Sequence, residues 1–168
     1  MTAQPARQLE SPRFENENAK IFAGLRGHYT GATVAEIPQL WQQLAPNLGK
    51  LPEQIDSVAY GIVEYRATGG FDYMCAMEVS GADGLPSEFV VIKVPGLRFA
   101  KFTHHGHVSK IPDTVGAIFQ QWMSTSVYAA PVSIDPTQHI PTLIEFYGRE
   151  FDPQSGMGGM EVWVPVRD

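Results

Sequence analysis

Apolar residues recur along this chain with two alternating periods, and their order predicts two similar halves. Ile21, Phe22, Ala23, Leu25 and Tyr29 mark a strand ending near Thr30-Gly31. Val34, Ile37, Leu40, Trp41, Leu44 and Leu48 then fall three or four residues apart, the spacing of one helix face. Thr33 and Glu36 have the spacing of a capping box, but Pro38 sits too deep for a helix opening at Val34, which moves the regular start towards Ile37. Gly49 is a plausible stop. Residues 58–65 and Phe71–Val79 alternate as strands around the turn Thr68-Gly69-Gly70, completing a β-α-β-β order.

The second half repeats that order. A strand over 88–104 is interrupted at Pro95-Gly96, the mark of a bulge or bend. Ser109 is placed to cap a second helix with Pro112 in its first turn and a stripe of Ile111, Val115, Ile118, Phe119, Trp122 and Met123. A Pro-, Ser- and Asp-containing loop spans 128–139. Strands follow over 142–149 and Met160–Val166, joined by the glycine-containing segment 152–159. Two letter echoes accompany the repeat: Gly24-Leu25-Arg26 with Gly96-Leu97-Arg98, and Ile37-Pro38 with Ile111-Pro112. The expected fold is therefore α+β, a duplicated β-α-β-β unit with pseudo-two-fold symmetry and antiparallel sheets. A ligand cleft is expected where the halves join. Residues 1–18, polar and charged, read as a flexible N-terminal tail ahead of a single domain over 19–168.

Composition narrows the partners. The 168 residues hold 12 Lys and Arg against 18 Asp and Glu, a formal charge of -6, with no basic run of the kind that displaces counterions from a nucleic-acid backbone. Direct nucleic-acid contact is not expected, and an acidic protein favours cations. Neither a signal-peptide pattern nor an apolar run of the roughly 20 residues needed to span a bilayer is present, so membrane association is not expected and a cytoplasmic location is. The lone Cys75 allows no internal disulfide or cysteine-based zinc cluster, and mid-strand it reads as a small core residue. Of His104, His105 and His107 the spacing could supply two ligands, but His104 and His105 point to opposite faces if the strand continues and no carboxylate or cysteine lies close in sequence to complete a set, so no metal is expected. Gly156, Gly158 and Gly159 lack the Lys and Ser or Thr of a phosphate loop, and no Gly-x-Ser-x-Gly elbow exists, so neither a cofactor nor a catalytic motif is read.

Candidate ligand chemistry lies on three elements. Alternation in Leu143-Ile144-Glu145-Phe146-Tyr147 puts Leu143, Glu145 and Tyr147 on one face. A carboxylate there faces solvent, pairs with an internal cation such as Arg149, or awaits a cationic ligand, since burying it alone is costly. Tyr65 and Tyr73, with Phe71 and the flexible Met77, either form cross-strand pairs or an adaptable ligand surface. Trp122 and Trp163 have the spacing of core residues, and equally of an aromatic wall against a flat cation.

From about Lys20 onward the sequence resembles the GyrI-like small-molecule-binding domains, the effector-binding family of AraC-type activators. The resemblance is carried by Phe71-Asp72-Tyr73-Met74 with Met77-Glu78-Val79, by Leu85-Pro86, and by Gly96-Leu97-Arg98-Phe99-Ala100 with Phe102-Thr103-His104-His105-Gly106-His107. Ile111-Pro112, Trp122, Glu145, Tyr147, Phe151-Asp152-Pro153 and Glu161 to Val166 continue it. It implies an SH2-like duplicated fold in a standalone member without a DNA-binding domain. Its pocket, lined by Tyr65, Tyr73, Trp122, Tyr147 and Trp163, holds small aromatic or cationic molecules, with Glu145 as the buried counter-charge. The same resemblance keeps open a hydrolase of electrophilic toxic compounds, with Glu145 as general base and a tyrosine donating to the leaving atom. It also keeps open a protein partner of the topoisomerase type, and haem binding by analogy of fold.

Overall fold

The computed structural model describes residues 9–124, 130–131 and 135–167; part of the expected tail (1–8) and part of the expected loop (128–129 and 132–134) lie outside them. The elements in chain order are β1 (Arg13–Glu17), β2 (Lys20–Tyr29), α1 (Ile37–Leu44), β3 (Gln54–Tyr65), β4 (Phe71–Val79), β5 (Val90–Val94), β6 (Leu97–His104), α2 (Ile111–Ala117), β7 (Leu143–Tyr147) and β8 (Met160–Val166). A π-helical turn over Ile118–Met123 extends α2. Antiparallel pairing joins the strands into one sheet in the order β1-β6-β8-β7-β3-β4-β2-β5.

The duplication is visible in that order. Three strands, β3-β4-β2, extend from one side of the β3/β7 join, and their counterparts, β7-β8-β6, extend from the other. Each half also lends a short strand to its partner: β1 pairs with β6, and β5 pairs with β2. The break at Pro95-Gly96 is therefore more than a bend, because β5 and β6 on either side of it serve different halves. Strands β1 and β5 are equal in length and stand equally far ahead of β2 and β6. This correspondence aligns the register row Leu25–Cys75–Gly61 with Phe102–Val162–Glu145, so Gly61 and Glu145 meet as equivalents across the join. It also sorts the two echoes. Ile37-Pro38 and Ile111-Pro112 both open helices, with proline in the first turn. Gly24-Leu25-Arg26 and Gly96-Leu97-Arg98 are coincidental, since Leu25 corresponds to Phe102.

The helix ends depart from expectation. The Thr33 hydroxyl accepts from the Thr30 N–H instead of capping α1, and no capping box forms. Pro46 follows within a 3₁₀ turn over Ala45–Asn47 and ends α1 at Leu44, short of Gly49. Ahead of the second helix the His107 ring nitrogen accepts from the Ser109 N–H at 3.1 Å and caps a 3₁₀ turn over Val108–Lys110, whereas α2 itself starts after Lys110 with no side-chain cap, so Ser109 does not cap it.

Both helices lie on one face. Leu44, Ile111 and Ile118 join Leu25, Tyr73, Cys75, Phe102, Tyr147 and Val162 in one buried cluster. The opposite cluster, Phe22, Tyr60, Ile62, Met74, Phe99, Ile144 and Trp163 among others, consists of strand residues alone. Strands two apart are separated by roughly 10 Å. Yet Phe22 reaches Tyr60 over β4 (4.9 Å between ring centroids), and Tyr60 reaches Trp163 over β7 (6.0 Å), so the large rings cover one another.

Strand β1 corrects the expectation of a flexible tail over its own residues, Arg13–Glu17. The buried ammonium of Lys101 on β6 pairs with Glu15 at 3.0 Å and with Glu17, and lies 3.8 Å from the centre of the Trp163 ring. Charges that read as a solvated tail are thus the partners of a buried lysine. Truncation before Lys20 removes both carboxylates, and leaving a buried charge unpaired costs about 3–5 kcal/mol. Urea unfolding is expected to show that loss.

Candidate functional site

The site is built at the β3/β7 join, on the face the helices cover. Gly61 of β3 stands opposite Glu145 of β7. A glycine inside a strand often marks a close approach by other groups, and here they are the Glu145 carboxylate and the Tyr73 phenol. A Cβ at position 61 would overlap the Tyr73 hydroxyl and lie 2.7 Å from Glu145 Oε1.

Two phenols converge on that single oxygen. Tyr73 of β4 donates to Oε1 at 2.7 Å, and Tyr147 of β7 donates to it at 2.9 Å. Trp41 of α1 donates its indole N–H to the Tyr73 hydroxyl at 3.0 Å, and its ring meets Tyr147 edge-on at 5.3 Å. Trp41 is on the buried stripe of α1 with Leu40 and Leu44, which aims it at the join. Glu145 Oε2 takes no hydrogen bond from a described residue, and Glu145 keeps part of its surface exposed. Tyr65 sits at the rim, half exposed, against Phe71 (5.9 Å) and Phe119 of the π-helical turn (6.0 Å).

Burial sets the electrostatics. It raises the Glu145 carboxyl above its usual 4.5, and the hydrogen bonds from Tyr73 and Tyr147 oppose that rise. Burial, with the Glu145 charge adding to it, lifts the phenols of Tyr73, Tyr147 and Tyr65. The arrangement is a desolvated carboxylate with one oxygen saturated by phenols and the other open to a partner, inside aromatic walls.

Three of the six residues singled out in the sequence, Glu145, Tyr73 and Tyr147, come together, with Tyr65 beside them. Trp122 packs instead on Phe102 (5.2 Å) and Phe14 (6.3 Å), over the strands at the far side of the second half. Trp163 lies on the opposite face. There it stacks on Phe146 at 4.9 Å and donates to Glu161 at 2.9 Å, because β8 alternation sends Val162 to the helix side and Trp163 away from it. Trp41 and Gly61 were not foreseen. Glycine amid the apolar residues of β3, and an indole N–H on a buried helix stripe needing an acceptor, were the signals available.

Each histidine of the turn is occupied separately. Buried His104 bonds Thr114 Oγ1 at 2.7 Å and the His107 carbonyl at 2.9 Å, His105 meets Glu10, and His107 meets Ser109. Among the described residues no group of three His, Cys, Asp or Glu converges as a metal set would. Two open clefts of about 670 and 800 Å³ flank this turn, and Glu145 lines neither. Cys75 is buried, with its thiol pushed up to about 12. No helix among the described residues is long and apolar enough to cross a membrane.

Comparison with known proteins places this geometry. The model of the GyrI-like small molecule binding domain matches residues 10–167. The transcriptional regulator BrlR of Pseudomonas aeruginosa is 25% identical over 166 residues, which are 96% of this chain and 55% of the relative, so the chain spans about half of that protein. Among solved structures, SAV2435 bound to tetraphenylphosphonium has a TM-score of 0.72 at 16% identity, with 94% of each chain covered. A hydrolase from Listeria innocua has a TM-score of 0.51 at 12% identity, covering 95% of this chain and 93% of its own. At these identities the solved structures carry the fold alone.

Proposed function

The chain belongs to the GyrI-like small molecule binding domain family, and from that premise we propose that it binds lipophilic aromatic cations at the β3/β7 join, with Glu145 as the counter-charge. The observation that carries this reading is the half-satisfied carboxylate, in which Oε1 accepts from Tyr73 and Tyr147 while Oε2 takes no hydrogen bond among the described residues. Burial makes such a group seek either a proton or a cation. The rings of Trp41, Tyr73, Tyr147 and Tyr65 suit a cation's faces, because their π-clouds are negative. SAV2435, a protein of the same fold, is bound to such a cation. Stacking and one charge fix little geometry, so selectivity among aromatic cations is broad.

The pH dependence follows from the raised carboxyl. Protonation of Glu145 removes the counter-charge, and its transition lies above 4.5. Affinity for tetraphenylphosphonium is therefore expected to be full well above that transition. It falls as pH drops through it, approaching about tenfold per pH unit, while a neutral probe such as triphenylphosphine oxide shows no comparable change. Titration calorimetry from pH 4.5 to 8 reads this directly. Equal pH profiles for the two probes would remove Glu145 from the account.

A second reading, hydrolysis of an electrophilic small molecule, draws on the same observation. Oε2 is free to take a proton from a water, and a raised carboxyl suits a general base at neutral pH. It requires product formation from an electrophilic substrate that stops in Glu145→Gln.

A further inference from the structure

The two halves present equivalent strand positions to one another at the join, a glycine from one and a glutamate from the other. We propose that Gly61 is the specificity-determining residue of this site: the room it leaves lets the Tyr73 hydroxyl donate to Glu145, and that hydrogen bond sets the preference for cations over neutral ligands of similar shape. The proposal rests on the binding reading above.

The backbone does not itself demand glycine at this position. Gly61 is absent from the residues with positive φ, and it pairs regularly with Cys75 on one side and Glu145 on the other. A strand-interior glycine gives up side-chain packing and loses more chain entropy on folding than alanine does. What a Cβ would meet here is side-chain ends: the Tyr73 hydroxyl and its ring carbon, and Glu145 Oε1. These are side-chain atoms rather than backbone, so an alanine is accommodated by pushing the Tyr73 phenol off the carboxylate.

The effect on charge follows. Glu145 is faced by Tyr73 from β4, Tyr147 from its own strand, Tyr65 from β3, and the uncharged indole of Trp41 from α1; among the described residues no lysine or arginine is paired with it. The two phenols that donate to it are the groups opposing the rise that burial imposes on the carboxyl. Removing one leaves a desolvated carboxylate with weaker support, which takes up a proton more readily. A protonated Glu145 still accepts a neutral aromatic ligand and loses its attraction for a cation.

The test is a double-mutant cycle read as selectivity. Affinities for tetraphenylphosphonium and triphenylphosphine oxide are measured at pH 7 for the wild type, Gly61→Ala, Tyr73→Phe and the double variant. The Glu145 carboxyl is titrated by carbon NMR without ligand. A hydrogen bond to a charged group predicts that each single variant lowers the cation-to-neutral ratio by roughly tenfold. The double variant loses no more than Tyr73→Phe alone, and both single variants titrate above the wild type. Should Gly61→Ala fail to fold, adding Tyr73→Leu removes the two Tyr73 atoms that collide, leaves Glu145 Oε1 free to turn into the space they vacate, and must restore folding. The proposal is overturned by a Gly61→Ala protein with wild-type selectivity, by losses that multiply in the double variant, or by no rescue with Tyr73→Leu. A wild type that binds neither probe overturns the binding reading, and the proposal with it, at a step the variants do not touch.

Discussion

Glu145→Gln is expected to weaken tetraphenylphosphonium binding by at least about thirtyfold and to leave triphenylphosphine oxide nearly unaffected. Gln has the size of Glu, and its carbonyl oxygen can still accept from Tyr73 and Tyr147, so the aromatic walls stay in place. What disappears is the charge facing the cation. Removing one member of a desolvated charge pair costs about 2–5 kcal/mol, which corresponds to roughly thirtyfold up to several thousandfold in affinity. The variant is also expected to change stability in a direction that mere damage would not. Burial raises the folded carboxyl above 4.5, so its contribution is fully present below pH 4.5 and is lost as pH rises through the folded value. Gln does not titrate. Relative to the variant, the wild type should therefore lose melting temperature between pH 4.5 and neutrality. A variant that is equally weak for both probes, or whose stability tracks the wild type at every pH, contradicts the role given to Glu145.

Trp163→Ala is expected to do the reverse, costing about 3–5 kcal/mol of stability while the folded protein keeps its affinity. Trp163 is 3% exposed and touches Phe99, Phe146 and Tyr60, and the Lys101 ammonium lies over its ring. Removing it opens a cavity in the helix-free cluster and takes away the ring beneath a buried cation. None of these atoms faces Glu145, since Trp163 pairs with Ile144, whose side chain is on the other side of β7. Urea midpoints read the loss, and calorimetry well below the transition reads the affinity. A Trp163→Ala protein of wild-type stability that no longer binds would return Trp163 to the ligand wall.

These two variants mark how far the sequence could be read. The β-α-β-β repeat was legible because each strand and helix carries its own period, and because Ile-Pro opens both helices. The face holding Glu145 and Tyr147 was legible from alternation within β7. Trp163 was misplaced because alternation assigns residues to faces within one strand only. Which face of β8 continues the Glu145 face of β7 depends on register, and register follows from the turn between them. The row Phe102–Val162–Glu145 settles it against Trp163. Strand β1 was hidden for a related reason. Its alternating Glu15 and Glu17 look solvated until Lys101, far along the chain, is seen beside them. Gly61 showed only as a glycine amid the apolar residues of β3, a signal that does not say what fills the space its absent side chain leaves. What fills it appears only when the two halves are brought face to face.

The measurement that bears most directly on the site at the join uses the three tryptophans as reporters. Their indole N–H resonances are followed in a ¹⁵N-labelled protein during titration with tetraphenylphosphonium, with Trp41→Phe and Trp163→Phe assigning the peaks. Trp41 is bonded to Tyr73 within the site, whereas Trp163 is bonded to Glu161 on the opposite face. The Trp41 resonance is expected to shift and saturate while that of Trp163 holds still. A saturable shift at Trp163 with Trp41 unmoved would place the ligand elsewhere and contradict the account.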